Sequence, residues 1–356
     1  MDSSLFALVD WPSAPLTDSL VRKSLDNVLP SVVSVTSTPT TFVTSKDGKM
    51  LQWAAYDSID HEITHSQSDR VLSSTYTIRK ALIRKHFLSR CIQSYTTKRT
   101  DSLLKHSTPR TWDLEIAYAD ELDEMWSDEL YDLGTELDDP TSWWILKPGM
   151  ADRGMGIRLF NSKESLLQIF EEFEENSDDE EDENETAVIT SQLRHFVIQE
   201  YISSPLLMDP YEVKLDPDSF TKTTETLQGY KFHMRAYFVA SGALTLYMYP
   251  RILALFSAVP YSPPTQLVTS DGQYTNVDLA PHLTNTSLQT HRGEDGVRLL
   301  DELIGCHVLS GATGQHVVLT SEDVTDLKDQ MASILAETFK AALDNPVHFQ
   351  VSILPT

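Results

Sequence analysis

The sequence predicts an α+β protein, and three segments carry that prediction. Residues 143–157, WWILKPGMADRGMGI, read as a strand, a glycine loop and a second strand. Residues 230–240, YKFHMRAYFVA, alternate with the period of two that marks a strand. Residues 321–343 carry apolar positions at helical spacing and open on Ser321, Glu322 and Asp323, residues suited to a helix start.

Taken in order, residues 41–56 alternate enough for strands around an Asp47-Gly48 turn. Residues 76–95 read as one helix, with Ile78, Leu82, Ile83, Phe87 and Cys91 on one face. Its other face carries Arg79, Lys80, Arg84, Lys85 and Arg90. Residues 98–108 are polar and loop-like, and 114–133 read as a second helix with an acidic face. The strand-loop-strand at 143 is followed by a helix over 162–173, then by an apolar strand, HFVIQEYI, at 195–202. Residues 230–240 and 244–249 are expected to pair antiparallel around Ser241-Gly242. Three regions follow: an N-terminal domain with a basic helix (1–140), a central domain (141–235) with a disordered acidic insertion near 171–187, and a C-terminal domain (236–356).

Composition narrows the class. The chain has 356 residues, 40% of them hydrophobic, and a formal net charge of −25. Its two cysteines, Cys91 and Cys306, lie far apart without a CxxC, so neither a zinc site nor a disulfide framework is expected. No apolar run approaches the roughly 18 residues of a membrane span. The first residues lack a basic region and an apolar core, so a soluble protein, cytoplasmic or nuclear, with no membrane association is expected. The charge is blocked. Residues 79–110 hold nine Lys/Arg and one acid, 111–140 hold twelve acids and no Lys/Arg, and 171–185 hold eleven acids and no base. A basic block can steer an acidic partner, although a solvated helix face gives the same pattern.

The chemistry concentrates in two places. In 143–157, Lys147 ends an apolar run, and Gly149, Gly154 and Gly156 let backbone amides approach an anion beside Arg153. This suits a phosphate clamp between two strands; a plain glycine hairpin with surface cations fits the spacing equally. The arrangement lacks the Gly-Lys-Ser/Thr of a P-loop. In 230–240, Lys231, His233 and Arg235 share one face, which demands water or an anion, or else an edge strand. Arg251 follows Pro250, and His282-Leu283-Thr284-Asn285 offers ligand contacts or a turn.

In this order, WILKP with RGMGI, VIQEYISSPLL, YKFHMR, Arg251 and HLTN resemble the tubulin-tyrosine ligase-like family of the ATP-grasp superfamily. The resemblance spans about residues 76–285 and is similar above all to fungal members associated with processing bodies. It implies an ATP-grasp fold and an ATP-dependent carboxylate-amine ligase working through an acylphosphate. It further implies ATP and Mg2+ as cofactors and an acidic-tailed protein substrate such as tubulin. Lys147 then corresponds to the phosphate-contacting lysine, and Arg153, Gly154 and Gly156 to the loop over the phosphates. Gln199, Glu200, Tyr201 and Ile202 correspond to the adenine hinge. Lys231 and Arg235 reach the nucleotide and the acyl intermediate, Arg251 stabilises developing negative charge, and Thr284 and Asn285 lie near the phosphates and acceptor.

Two departures accompany the resemblance. The family usually carries an acid where this chain has His233. The late metal ligands, an Asp and then a Glu-x-Asn, have no counterpart, because no acid follows Asp344. No metal-ligating residue is therefore assigned. A shortened product or incomplete gene model is expected, with a non-catalytic nucleotide-binding or scaffolding protein of an RNP granule as the alternative function.

Overall fold

A computed structural model describes residues 5–344, except 36, 39–41, 43–46, 77, 140, 152–153, 176–193, 214–223, 243, 271, 286–294 and 311–316. Arg153 and residues 176–187 of the expected disordered insertion lie outside the described residues, as do the residues after Asp344, while 171–175 are helical because Phe173 is buried in a core. The chain divides into two compact bodies, 1–80 with 348–356, and 81–347.

The first body is a parallel sheet in the order β2-β1-β3-β4, built from β1 (Leu5–Asp10), β2 (Val33–Val35), β3 (Lys49–Ala54) and β4 (Val71–Ser73). α1 (Pro15–Val28) opens on Pro15, whose missing amide costs nothing in a first turn. α2 (His61–Ser66) is capped by Asp60, which accepts from the Ile63 amide at 2.9 Å. Gln52, fully buried, is satisfied by Asp60 and Thr64. Of the strands expected around Asp47-Gly48, the one after the turn is β3, which pairs in parallel, and residues 43–46 before it lie outside the described residues. β1 and β4 occupy both edges of β3, which leaves no edge for an antiparallel partner.

The second body begins within α3: the helix expected over 76–95 is two helices, α3 (Arg79–Ile83) and α4 (Lys85–Lys98), broken at Arg84. α5 (Leu104–Ser107) lies in the segment expected to be loop. The long acidic helix of 114–133 is also corrected. β5 (Thr111–Glu115) takes its start, and the remainder forms short turns, α6 (Leu122–Met125) and α7 (Tyr131–Glu136). Leu114, Leu122, Leu130 and Leu133 are buried in one core, and satisfying them bends the chain away from a straight helix.

Two antiparallel sheets frame this body. One has the order β5-β8-β6-β7, with β6 (Trp144–Pro148), β7 (Arg158–Phe160) and β8 (His195–Glu200). α8 (Lys163–Glu175) supplies Leu166, Ile169, Phe170 and Phe173 to one face, packed on Trp144, Leu146, Phe196 and Ile198. Alternation turns Ile145, Lys147, Val197 and Gln199 toward the other face. The second sheet has the order β14-β13-β10-β9, with β9 (Leu207–Met208), β10 (Tyr230–Arg235), β13 (Leu253–Phe256) and β14 (Val297–Leu299). α9 (Ser321–Leu343) packs on this core and opens on a capping box in which Thr320 and Asp323 exchange hydrogen bonds.

The long strand expected over 230–240 is split. β10 ends at Arg235, and β11 (Phe238–Ser241) pairs only with β12 (Thr245–Met248), so the Ser241-Gly242 hairpin belongs to β11 and not to β10. β10 has β13 on one side and, beside Tyr230 and Lys231, β9 on the other, which removes the edge-strand explanation for Lys231. Among the described residues no helix is long and apolar enough to cross a membrane.

Candidate functional site

β6 carries Lys147 out of its core because Trp144 and Leu146 are held by α8, and a two-residue period sends Lys147 the other way. Its ammonium donates to Gln199 Oε1 at 2.6 Å, while Gln199 Nε2 donates to Thr111 Oγ1 at 3.0 Å. Burial, reinforced by the charge of Lys85, pulls the Lys147 pKa down to about 8. Lys231 on β10 is drawn down to about 8 as well, by burial and then by Lys147. Lys231 donates to Tyr201 Oη at 3.1 Å and lies 4.3 Å from the centre of that ring. Tyr201 Oη is in turn hydrogen-bonded to His282 Nδ1 at 2.8 Å. Burial pushes His282 down to about 4, aided by Lys231. Burial and the nearby Tyr261 push the Tyr201 phenol up.

The sheets thus converge on two hydrogen-bonded sets, Lys147 with Gln199 and Lys231 with Tyr201 and His282, near enough for the charge of Lys147 to act on Lys231. An ammonium whose pKa is depressed beside another ammonium is a site short of negative charge. Its physical complement is an anion. A hollow of about 490 Å³ adjoins it, lined among others by Lys85, Lys105, Arg110, Thr111, Lys147 and Gln199, with no acidic residue in its wall.

The glycine loop is fixed from below. Gly149 N–H donates to the His195 carbonyl at 2.7 Å. A side chain on Gly149 would collide with His86 Nδ1, so glycine is required by close approach. Gly154 and Gly156 have φ of 84° and 68°, and a Cβ on Gly156 would sit 2.7 Å from Pro148 Cγ. Lys85, the first residue of α4, donates from its backbone to Gly149 O at 3.1 Å. Its ammonium reaches the Pro148 and Ala151 carbonyls at 3.0 and 2.6 Å.

Lys147, Gln199, Tyr201 and Lys231 are therefore brought together. Next along β10, His233 Nδ1 is hydrogen-bonded to Thr284 Oγ1 at 2.5 Å, and burial followed by Arg235 lowers the His233 pKa. Thr284 is buried and Asn285 half-buried. Glu200 accepts from Arg110 at 3.0 Å, and Ile202 is 59% exposed. Arg235 lies opposite Leu253 at the far end of β10, and Arg251 precedes that residue by two; both are exposed. Three of the nine cations of the basic block are engaged in ion pairs within the chain: Arg90 with Asp113, Arg99 with Asp344, and Arg110 with Glu136 and Glu200.

Sequence reasoning missed Lys85, assigned to an exposed helix face, and His282, passed over for the Thr and Asn beside it. The signal for His282 was its place in HLTN; none pointed to Lys85, whose role depends on a contact 63 residues away. Among the described residues no three His, Cys, Asp or Glu stand close enough to hold a metal ion. The donor set fits a polyanion; it does not provide a magnesium cage.

Comparison with known proteins follows from this geometry. The tubulin-tyrosine ligase family model matches residues 65–349. The chain is 34% identical over 324 residues to "Probable tubulin–tyrosine ligase PBY1" of Saccharomyces cerevisiae, over 86% of this chain and 39% of that protein. It is 33% identical over 334 residues to a "Probable tubulin–tyrosine ligase" of Schizosaccharomyces pombe, over 87% of this chain and 71% of that one. The chain thus spans about two fifths of the length of the budding-yeast protein. Among solved structures it is similar to the C-terminal domain of Kluyveromyces lactis Pby1, described as an ATP-grasp enzyme interacting with the mRNA decapping enzyme Dcp2. That match has 28% identity and a TM-score of 0.56, and covers 95% of this chain and 75% of the other. Ordered motifs, paired sheets and a buried lysine cluster between them agree with these matches, and the chain belongs to the tubulin-tyrosine ligase family, with the ATP-grasp fold.

Proposed function

We propose that the chain binds ATP and acts as a carboxylate-amine ligase, joining an amino acid to a protein carboxylate through an acylphosphate. The observation that carries the reading is the trio of Lys85, Lys147 and Lys231. Two of these ammonium groups have their pKa lowered, Lys147 by burial and the charge of Lys85, Lys231 by burial and the charge of Lys147. A triphosphate supplies what they lack. ATP would displace Gln199 from Lys147, and Gly154 and Gly156, with Arg153, would close over its phosphates. The base would rest at Gln199, Glu200, Tyr201 and Ile202, with the Tyr201 phenol held by Lys231 and His282. Bound ATP supplies the phosphoryl group that activates the carboxylate.

The remaining roles use charge. Arg235 and Arg251 stand at one end of β10 and β13, where developing negative charge on the acyl group would be met. Thr284, fixed by His233, and Asn285 would contact the acceptor side of the phosphates. No step is assigned to Mg2+, because the described residues supply no carboxylate set for it. The three-domain division at residues 140 and 235 belongs to the same reading.

The partners proposed are an acidic-tailed protein such as tubulin and components of RNP granules, in the cytoplasm and processing bodies. Support for the granule assignment comes from the Dcp2 interaction of the Kluyveromyces lactis relative. A second reading, nucleotide binding without turnover in a scaffolding protein, is favoured by one observation. His233, where the family carries an acid, is bound to Thr284 and is not a carboxylate.

The test is direct. ATP binding is titrated for the chain and for Lys147→Ala, and ATP-dependent incorporation of labelled tyrosine or glutamate into tubulin is followed with magnesium present. Binding lost in the variant, with incorporation in the parent, supports the ligase. Binding without incorporation supports the scaffold. Absence of ATP binding removes both.

A further inference from the structure

The hairpin β11–β12 departs from ordinary antiparallel design, in which one face is buried and the other polar. Its inner face is partly covered: Phe238, 43% exposed, meets Phe339 of α9 edge-on at 5.5 Å, and Met248 packs on the core of the second sheet. Its outer face holds Tyr237, Val239, Tyr247 and Tyr249, which are 54, 64, 62 and 52% exposed. Val239 lies directly opposite Tyr247, and the Tyr249 amide donates to the Tyr237 carbonyl at 2.7 Å. These side chains, three tyrosines and a valine, therefore form one exposed strip on the same face. The ribbon has two strands, with no third strand paired to either edge among the described residues. Arg235 and Arg251, both exposed, stand at its two feet. Residues 235–251 contain no Asp or Glu, in a chain with 53 of them.

We propose that this strip is the docking surface for the acceptor polypeptide, which lies extended along the ribbon with its carboxylates toward Arg235 and Arg251. The inference rests on the reading of those arginines given above. Unpaired strand edges offer backbone hydrogen bonds to an extended peptide, and alternate side chains specify it. Tyrosine gives large, rigid contact area at small entropic cost. The acid-free stretch selects carboxylates, and arginine forks hold them bidentately. Single-stranded RNA would also stack on tyrosines, but two cations on a chain of net charge −25 give it little electrostatic attraction.

The experiment uses the full chain, a triple variant (Tyr237→Ser, Tyr247→Ser, Tyr249→Ser) and a second variant, Val239→Lys. The probe is a fluorescent ten-residue peptide of alternating Glu and Val with a free C-terminal carboxylate; its amide and a decauridylate are compared. The expected result is peptide binding that weakens about tenfold or more in the triple variant. ATP affinity should stay within twofold of the parent. Peptide binding unchanged by either variant overturns the proposal, as does preferential binding of the decauridylate. A parent dimer that dissociates in the variants also overturns it, since the strip would then be a self-interface. Loss of ATP binding in the parent, with tyrosine-dependent peptide binding kept, would remove the nucleotide reading and leave the docking surface standing.

Discussion

Raising the pH from 7 to 9 should release the nucleotide, because the two lysines that would hold its phosphates lose their charge in that interval. Lys147 and Lys231 both titrate at about 8. Each is then roughly 90% charged at pH 7 and about 10% charged at pH 9. Where binding needs the charged form, each lysine weakens ATP by about tenfold, and the two together by about a hundredfold. At pH 8 each is half charged. A triphosphate that restores both charges should therefore draw in about one proton in total. Titration calorimetry in two buffers of different ionisation enthalpy reads that proton number directly, and the affinities at pH 7, 8 and 9 come from the same data. Lys231→Arg keeps its charge throughout, so its affinity should fall only about tenfold. Affinity flat within threefold from pH 7 to 9, with no proton uptake at pH 8, would refute the reasoning.

Gly149→Ala should destabilise the second body by about 2–3 kcal/mol in urea unfolding, because the new methyl meets His86 and the His195 carbonyl. Acid should unfold the protein through His86 and His282, both held to about 4 by burial, against about 6.5 when unfolded. The unfolded chain binds more protons between those values, so stability is full above pH 6.5 and falls as pH approaches 4. The loss is about 3 kcal/mol per ring. His86→Phe should flatten the pH dependence by about one proton, read from urea midpoints at pH 7, 6 and 5. Leu244 holds φ of 71°, which costs a side chain about 1 kcal/mol. Leu244→Gly should accordingly raise the thermal midpoint, and an unchanged midpoint would show the turn to be relaxed.

Sequence periodicity located α8, α9, β6 and β8 within a few residues, because each buries one face against a neighbour and the pattern is local. It failed where the cause is remote. The break at Arg84 follows from Lys85 bonding to Gly149, far along the chain. The division of 230–240 was invisible because β10 and β11 share the same alternation, and only their different partners, β13 and β12, separate them. The site divides in the same way. Lys147 and Lys231 stood out as cations in apolar runs, Gln199 and Tyr201 followed from the family resemblance, and the fold joins them in two hydrogen-bonded pairs. The placement of Lys85 and His282 depends on the meeting of two sheets and a helix, which no single window contains.

α4 is fastened at both ends, and this has a mechanical consequence. At its start Lys85 grips the carbonyls of the glycine loop. About 15 Å along the same helix, Tyr95 bonds to Glu337 of α9, and just past the helix end Arg99 bonds to Asp344, the residue that caps α9. A short helix is stiff along its axis, so the loop cannot travel along that axis without carrying the far anchor with it. α4 is thus a tie-rod, and the position of the loop is also written into the end of the longest helix, where Phe339 supports the tyrosine ribbon.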